Sequence, residues 1–136
     1  MHRVPSWVWA AVICGAFYLA IGIVFGGLGS SAETRILWRR AAWVVSAVVF
    51  AVHIAYEHFR RRSQPRTTGL HVAAAVALGT FGLAVSANIH AQPTTRQRLL
   101  VAAALVIWPA LTAIPAFVVA FVMAALLGRT TRSTTP

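Results

Sequence analysis

Four long apolar stretches, separated by short basic segments, dominate the pattern of hydrophobic and polar positions along the chain. A helix that spans a membrane needs about 20 mostly apolar residues. The pattern predicts four such helices, at about residues 7–28, 37–60, 69–90 and 98–127. Backbone polar groups inside a bilayer must be paired internally, and the alternating pattern of barrel strands is absent from the sequence. We therefore predict an all-α fold, a four-transmembrane-helix integral membrane bundle, that forms one domain over residues 1–128.

Composition agrees with a membrane protein. The chain has 136 residues, of which 59% are hydrophobic and 10% are charged, whereas a soluble domain has about 45–50% apolar and about 25% charged residues. These values exclude a soluble enzyme, a disordered chain and a fibrous repeat. Residues 129–136 are basic and polar, and we predict that they form a disordered C-terminal tail.

All twelve basic side chains are arginine, and Glu33 and Glu57 are the only acidic ones. The arginines flank the apolar stretches, which favours anionic lipid head groups as partners and argues against nucleic acid. The N-terminus, the second loop and the C-terminus together hold seven arginines, against five in the other two loops. This excess predicts a multi-pass protein of a bacterial cytoplasmic (inner) membrane with both termini in the cytoplasm. The excess of arginines is so small that the sequence also allows dual topology.

Small residues recur at helical spacing in two of the predicted helices. Gly15, Gly22 and Gly26 fall along one stripe of the first helix, and Gly79 and Gly82 along a stripe of the third. Lipid provides no hydrophobic drive for helix association, so close packing of small residues matters. We predict that these stripes bring helices together, either within one chain or in an oligomer.

Two histidines and a glutamate form the candidate site. His53 and Glu57 are four residues apart on the second helix, about 40° apart around its axis, and His71 begins the third helix on the same side of the membrane. Three interpretations require these side chains to converge: haem b with His53 and His71 as axial ligands, a divalent metal ion held by all three, or a quinone or proton site. The simpler interpretation is an interfacial ion pair of Glu57 with Arg60 or Arg61.

The sequence carries none of the common catalytic motifs. It has no Gly-rich phosphate loop, no GxSxG elbow and no HExxH helix. The leading hypothesis is therefore a small non-enzymatic subunit, accessory factor or homo-oligomer that acts through helix–helix contacts and binds no cofactor. The alternatives are a haem-, metal- or quinone-binding redox protein that uses His53 and His71, and a small channel or transporter. The last is suggested by Pro109 and Pro115, with Thr112 between them.

Overall fold

The computed structural model describes residues 5–29, 31–90 and 97–130. These residues form α1 (Ser6–Leu28), α2 (Arg35–Ala55), α3 (Pro65–His90) and α4 (Gln97–Thr130). A five-residue π-helix, Tyr56–Arg60, continues α2 without a break. The described part of the chain contains no strand, and its four helices are each long and apolar enough to cross a membrane. The fold is thus an all-α bundle of four membrane-length helices.

The helix boundaries differ from the predicted ones by a few residues. α3 begins at Pro65, several residues earlier than predicted, because proline fits the first position of a helix, where its missing N–H is not needed. α4 extends through Arg129 and Thr130, so the helix continues into the segment predicted as a tail. The rest of that segment, 131–136, lies outside the described residues.

The third helix is the centre of the bundle. α3 packs extensively against both α4 and α1, whereas α2 packs mainly against α1 and touches α3 and α4 only lightly. The buried core consists largely of alanines, which are Ala11, Ala75, Ala84, Ala116, Ala120 and Ala124. Such small side chains allow the close helix approach on which bundles in lipid depend.

The backbones of α1 and α3 come closest where two predicted glycines meet. A Cβ atom on Gly79 would lie 2.5 Å from the Cβ of Tyr18 and 2.9 Å from the carbonyl oxygen of Gly15. Conversely, a Cβ atom on Gly15 would lie 3.0 Å from the Cβ of Leu78. Only glycine fits at this crossing without moving one helix away from the other.

Of the other three glycines in the predicted stripes, two lie at helix contacts and one does not. A Cβ atom on Gly22 would collide with the side chain of Leu83, and one on Gly82 would lie 3.0 Å from a methyl carbon of Leu19. Gly26, in contrast, has nothing within 4 Å of the equivalent position. The small residues of α1 therefore do not form one continuous contact stripe.

Both prolines of α4 lie inside a helix that remains unbroken. Thr112 lies between Pro109 and Pro115, and its hydroxyl oxygen is 3.1 Å from the carbonyl oxygen of Trp108 and 3.0 Å from that of Pro109. The same hydroxyl is 3.0 Å from the hydroxyl of Thr80 on α3. A polar contact thus ties α3 to α4 near the middle of both helices.

Candidate functional site

A tight turn places Glu57 inside the bundle at the end of the second membrane-length helix. Glu57 belongs to the π-helix and is fully buried. The chain then turns through Arg62, which has φ 52°, a left-handed conformation uncommon for a residue other than glycine. After the turn, the Ser63 amide donates to the Glu57 carbonyl oxygen at 3.1 Å. π-Helical turns occur frequently at functional sites.

Three side chains surround the Glu57 carboxylate. Ser63 donates its hydroxyl hydrogen to Oε2 at 2.8 Å, and His71 Nδ1 donates to the same oxygen at 3.0 Å. Arg61 Nη1 lies 3.4 Å from Oε1 and completes an ion pair. A buried charge is costly unless it is paired and hydrogen-bonded, and this network meets both conditions. We refer to Glu57, Arg61, Ser63 and His71 as the Glu57 cluster.

The cluster also reaches the first helix through an aromatic contact. The His71 imidazole stacks on the Trp7 indole, with 4.7 Å between ring centroids and an interplanar angle of 1°. The side chain of His71 retains 11% exposure, whereas that of Glu57 has none. The cluster therefore joins α1, the π-helix, the following turn and α3, and it meets the surroundings at His71 and Arg61.

His53 lies one turn deeper than Glu57 on the same helix and is 2% exposed. Neither of its ring nitrogens has a hydrogen-bonding partner within the described ranges. The same holds for the hydroxyl of Thr68, which is fully buried one turn before His71 on α3. An unpaired buried polar group costs about 1–3 kcal/mol, so such groups in a native protein call for an explanation.

The structure brings two of the three predicted site residues into direct contact. Glu57 and His71 are bonded, whereas His53 is buried nearby with no bond to either. Of the two arginines considered for Glu57, the ion pair is made by Arg61. Across residues 5–29, 31–90 and 97–130, no group of three or more His, Cys, Asp or Glu side chains is arranged to hold a metal ion.

Three members of the site environment were missed by the sequence analysis. The stacking of Trp7 on His71 follows only from how α1 packs against α3. Ser63 reaches Glu57 because the turn folds back on the π-helix. For Thr68 a signal was present, because it lies three residues before His71 and therefore on a neighbouring part of the same helix face.

The fold and the site together define a class: a small all-α bundle of four membrane-length helices that carries a buried carboxylate–imidazole pair near one end. Comparison with known proteins found no matching family model, no matching curated protein and no matching solved structure.

Proposed function

We propose that this protein is a non-enzymatic membrane subunit or accessory factor, and that the Glu57 cluster and His53 form a proton-exchange site that serves this role. One observation carries the proposal. A fully buried carboxylate accepts a hydrogen bond from one imidazole, while a second buried imidazole one turn away has two unpartnered nitrogens.

The chemistry of these groups favours proton exchange. Ionisable side chains within membrane segments are costly, and they commonly mark ion or proton pathways. Histidine changes its charge near neutral pH, and its ring can take up a proton at one nitrogen and release one from the other. His71 is partly exposed and contacts Glu57, whereas His53 lies deeper. In the proposed site His71 is therefore the group nearer the surroundings, and His53 is the deeper group.

The proposed location is a bacterial cytoplasmic membrane, with both ends of the chain in the cytoplasm. Its support is the distribution of arginines, four of which follow the second span at residues 60–62 and 66. Cytoplasmic loops carry an excess of arginine, and arginines beside a membrane attract anionic lipid. A C-terminal reporter that is active only outside the cytoplasm should remain inactive, and strong activity would contradict this orientation.

The proton-exchange site is tested by nuclear magnetic resonance of ¹⁵N-histidine-labelled protein in lipid nanodiscs. We expect the ring N–H protons of His71 and His53 to exchange with water, and that of His71 to exchange faster because His71 is the more exposed of the two. Glu57→Gln should alter the signals of His71, its direct partner. His58→Gln is the matched control, because His58 packs edge-on against Phe59 and makes no described contact with the cluster.

Two results would contradict the proposal. In one, the ring N–H protons of His53 and His71 do not exchange with water. In the other, His58→Gln changes the His71 signals as much as Glu57→Gln does. Either result would leave the Glu57 cluster as a purely structural ion pair.

A second candidate function, haem binding through His71, is favoured by the hydrogen bond from His71 Nδ1 to Glu57. Histidines that bind metals usually donate their other ring N–H to a carboxylate or carbonyl, which orients the ring. His53 would be the other residue to hold the haem. Expression with ample haem should give purified protein with a Soret band that His71→Gln and His53→Gln abolish. A spectrum without that band would reject the haem version.

A further inference from the structure

A layer of hydroxyl groups lies at mid-length in the bundle, away from the Glu57 cluster. Each helix contributes one residue close to its own midpoint, namely Tyr18, Ser46, Thr80 and Thr112. All four line one cavity of about 420 Å³ that is bounded by every helix of the bundle. That volume lies within the range of ordinary small-molecule sites.

The cavity is otherwise apolar and is open towards the outside of the bundle. Phe50, Val76 and Leu83 are among its walls. Trp43 and Ala47 lie at its margin on α2 and are both exposed. The opening exists because α2 packs only lightly against α3 and α4. At the middle of membrane-length helices such an opening faces lipid, so a ligand enters from the bilayer.

Tyr18 provides the buried polar group of the cavity that lacks a partner. Its hydroxyl is buried and makes no hydrogen bond within the described ranges. The Thr80 hydroxyl donates to the Val76 carbonyl oxygen at 2.8 Å and pairs with Thr112. A phenol is a donor as well as an acceptor, and an unpaired buried donor is costly. A ligand with a hydrogen-bond acceptor that enters this cavity would pair it.

An apolar layer separates this cavity from the Glu57 cluster. Ile54, Val72 and Ala120 are buried against one another, with Phe50 packed beside them. Phe50 also lines the cavity, while Ile54 precedes Glu57 by three residues. The cavity is therefore a second site, and it is distinct from a quinone site at His53 and Glu57.

We propose that this cavity binds a membrane-dissolved ring compound with carbonyl groups, of the isoprenoid quinone class. The ring lies between the apolar walls, a carbonyl oxygen accepts the Tyr18 hydroxyl hydrogen, and the prenyl tail leaves past Trp43 into lipid. A phospholipid acyl chain has no acceptor at this depth, because its ester carbonyls stay with the head group at the membrane surface. An uncharged ring with carbonyl groups meets both requirements.

Binding is tested by titrating the protein in nanodiscs with a short-chain ubiquinone and following quenching of tryptophan fluorescence, to which Trp43 contributes. We expect saturable binding that Tyr18→Phe weakens about tenfold, the usual effect of losing one hydrogen bond. Tyr56→Phe is the matched control. Tyr56 is the only other tyrosine of the chain, and it is 42% exposed outside the cavity, so this substitution should leave the affinity unchanged.

A second variant tests binding independently of Tyr18, in case Tyr18→Phe disturbs folding. Ala47→Trp adds bulk at the cavity margin, where Ala47 is exposed and is not part of the core; it should abolish saturable binding. Glu57→Gln should leave binding intact. The proposal is overturned if quenching only matches partition into empty nanodiscs, if all variants bind alike, or if a prenyl hydrocarbon without carbonyl groups binds equally well.

Discussion

Replacing Glu57 with leucine is expected to lower the free energy of unfolding by about 2–3 kcal/mol, because two donors lose their acceptor and an unpaired buried polar group costs about 1–3 kcal/mol. The substitution leaves His71 Nδ1 and the Ser63 hydroxyl without the acceptor that they share. It also releases the end of α2, which has few other contacts with α3. Chemical denaturation in mild detergent micelles, followed by circular dichroism, measures the change.

Glu33 provides the matched control for this experiment. It is the only other acidic residue of the chain, and it is exposed in the turn before α2. Glu33→Leu should therefore change the free energy of unfolding by less than about 0.5 kcal/mol. Equal effects of the two substitutions would show that the Glu57 cluster contributes nothing specific to stability.

A double-mutant cycle between Glu57→Leu and His71→Phe isolates the bond between them. Phenylalanine keeps an aromatic ring against Trp7 while removing the N–H donor. Contacting residues in one network show coupling energies of about 0.5–3 kcal/mol, and we expect a value in the upper half of that range because Glu57 is fully buried. A coupling near zero would contradict the role assigned to this bond.

The fold could be predicted from the sequence because one physical requirement determines the architecture of a chain in lipid. Backbone groups in lipid pair only within helices or closed barrels, so four apolar stretches without strand alternation leave one architecture. The role of Gly15 and Gly79 in helix contacts could be predicted for a similar reason, since both glycines belong to stripes with helical spacing. The sequence could not predict which helices pack against each other, because nothing in either stripe distinguishes packing within one chain from packing on a second chain.

Only part of the candidate site could be predicted from the sequence. The spacing of His53 and Glu57 pointed to a shared helix face, but the π-helix at Tyr56–Arg60 changes the helical register after His53. The backbone then turns at Arg62, which has a positive φ. Glycine is the usual residue in this conformation, so an arginine at this position gives no sequence signal for a turn. For this reason Ser63, six residues after Glu57, becomes its hydrogen-bond donor. Such a turn depends on tertiary contacts that spacing rules do not contain.

The hydroxyl layer could not be predicted from the sequence for a different reason. Each of its members is visible in the sequence as a polar residue near the middle of an apolar stretch. Their common depth follows only when the helices are aligned, as the 3.0 Å contact between Thr80 and Thr112 shows for α3 and α4. Tyr18 lines the same cavity from α1, and only the three-dimensional structure shows that its hydroxyl has no partner within the described ranges.

Gly79→Ala is expected to destabilise the bundle by about 2–3 kcal/mol, although alanine is the stronger helix former by about 1 kcal/mol. The added Cβ atom would lie 2.5 Å from the Cβ of Tyr18 and 2.9 Å from the Gly15 carbonyl oxygen. Neither atom belongs to the flexible end of a side chain, so no rotamer change relieves the collision and α1 must move away from α3. The movement also displaces Tyr18 from the central cavity.

Gly26→Ala is the matched control, because this glycine belongs to the same predicted stripe but has nothing within 4 Å of its Cβ position. It should leave stability unchanged or raise it slightly through helix propensity. Thermal unfolding in mild detergent should therefore show a lower Tm for Gly79→Ala and an equal or higher Tm for Gly26→Ala. The opposite order, or equal losses at both positions, would mean that α1 meets its partner along the full stripe, including Gly26, in an oligomer.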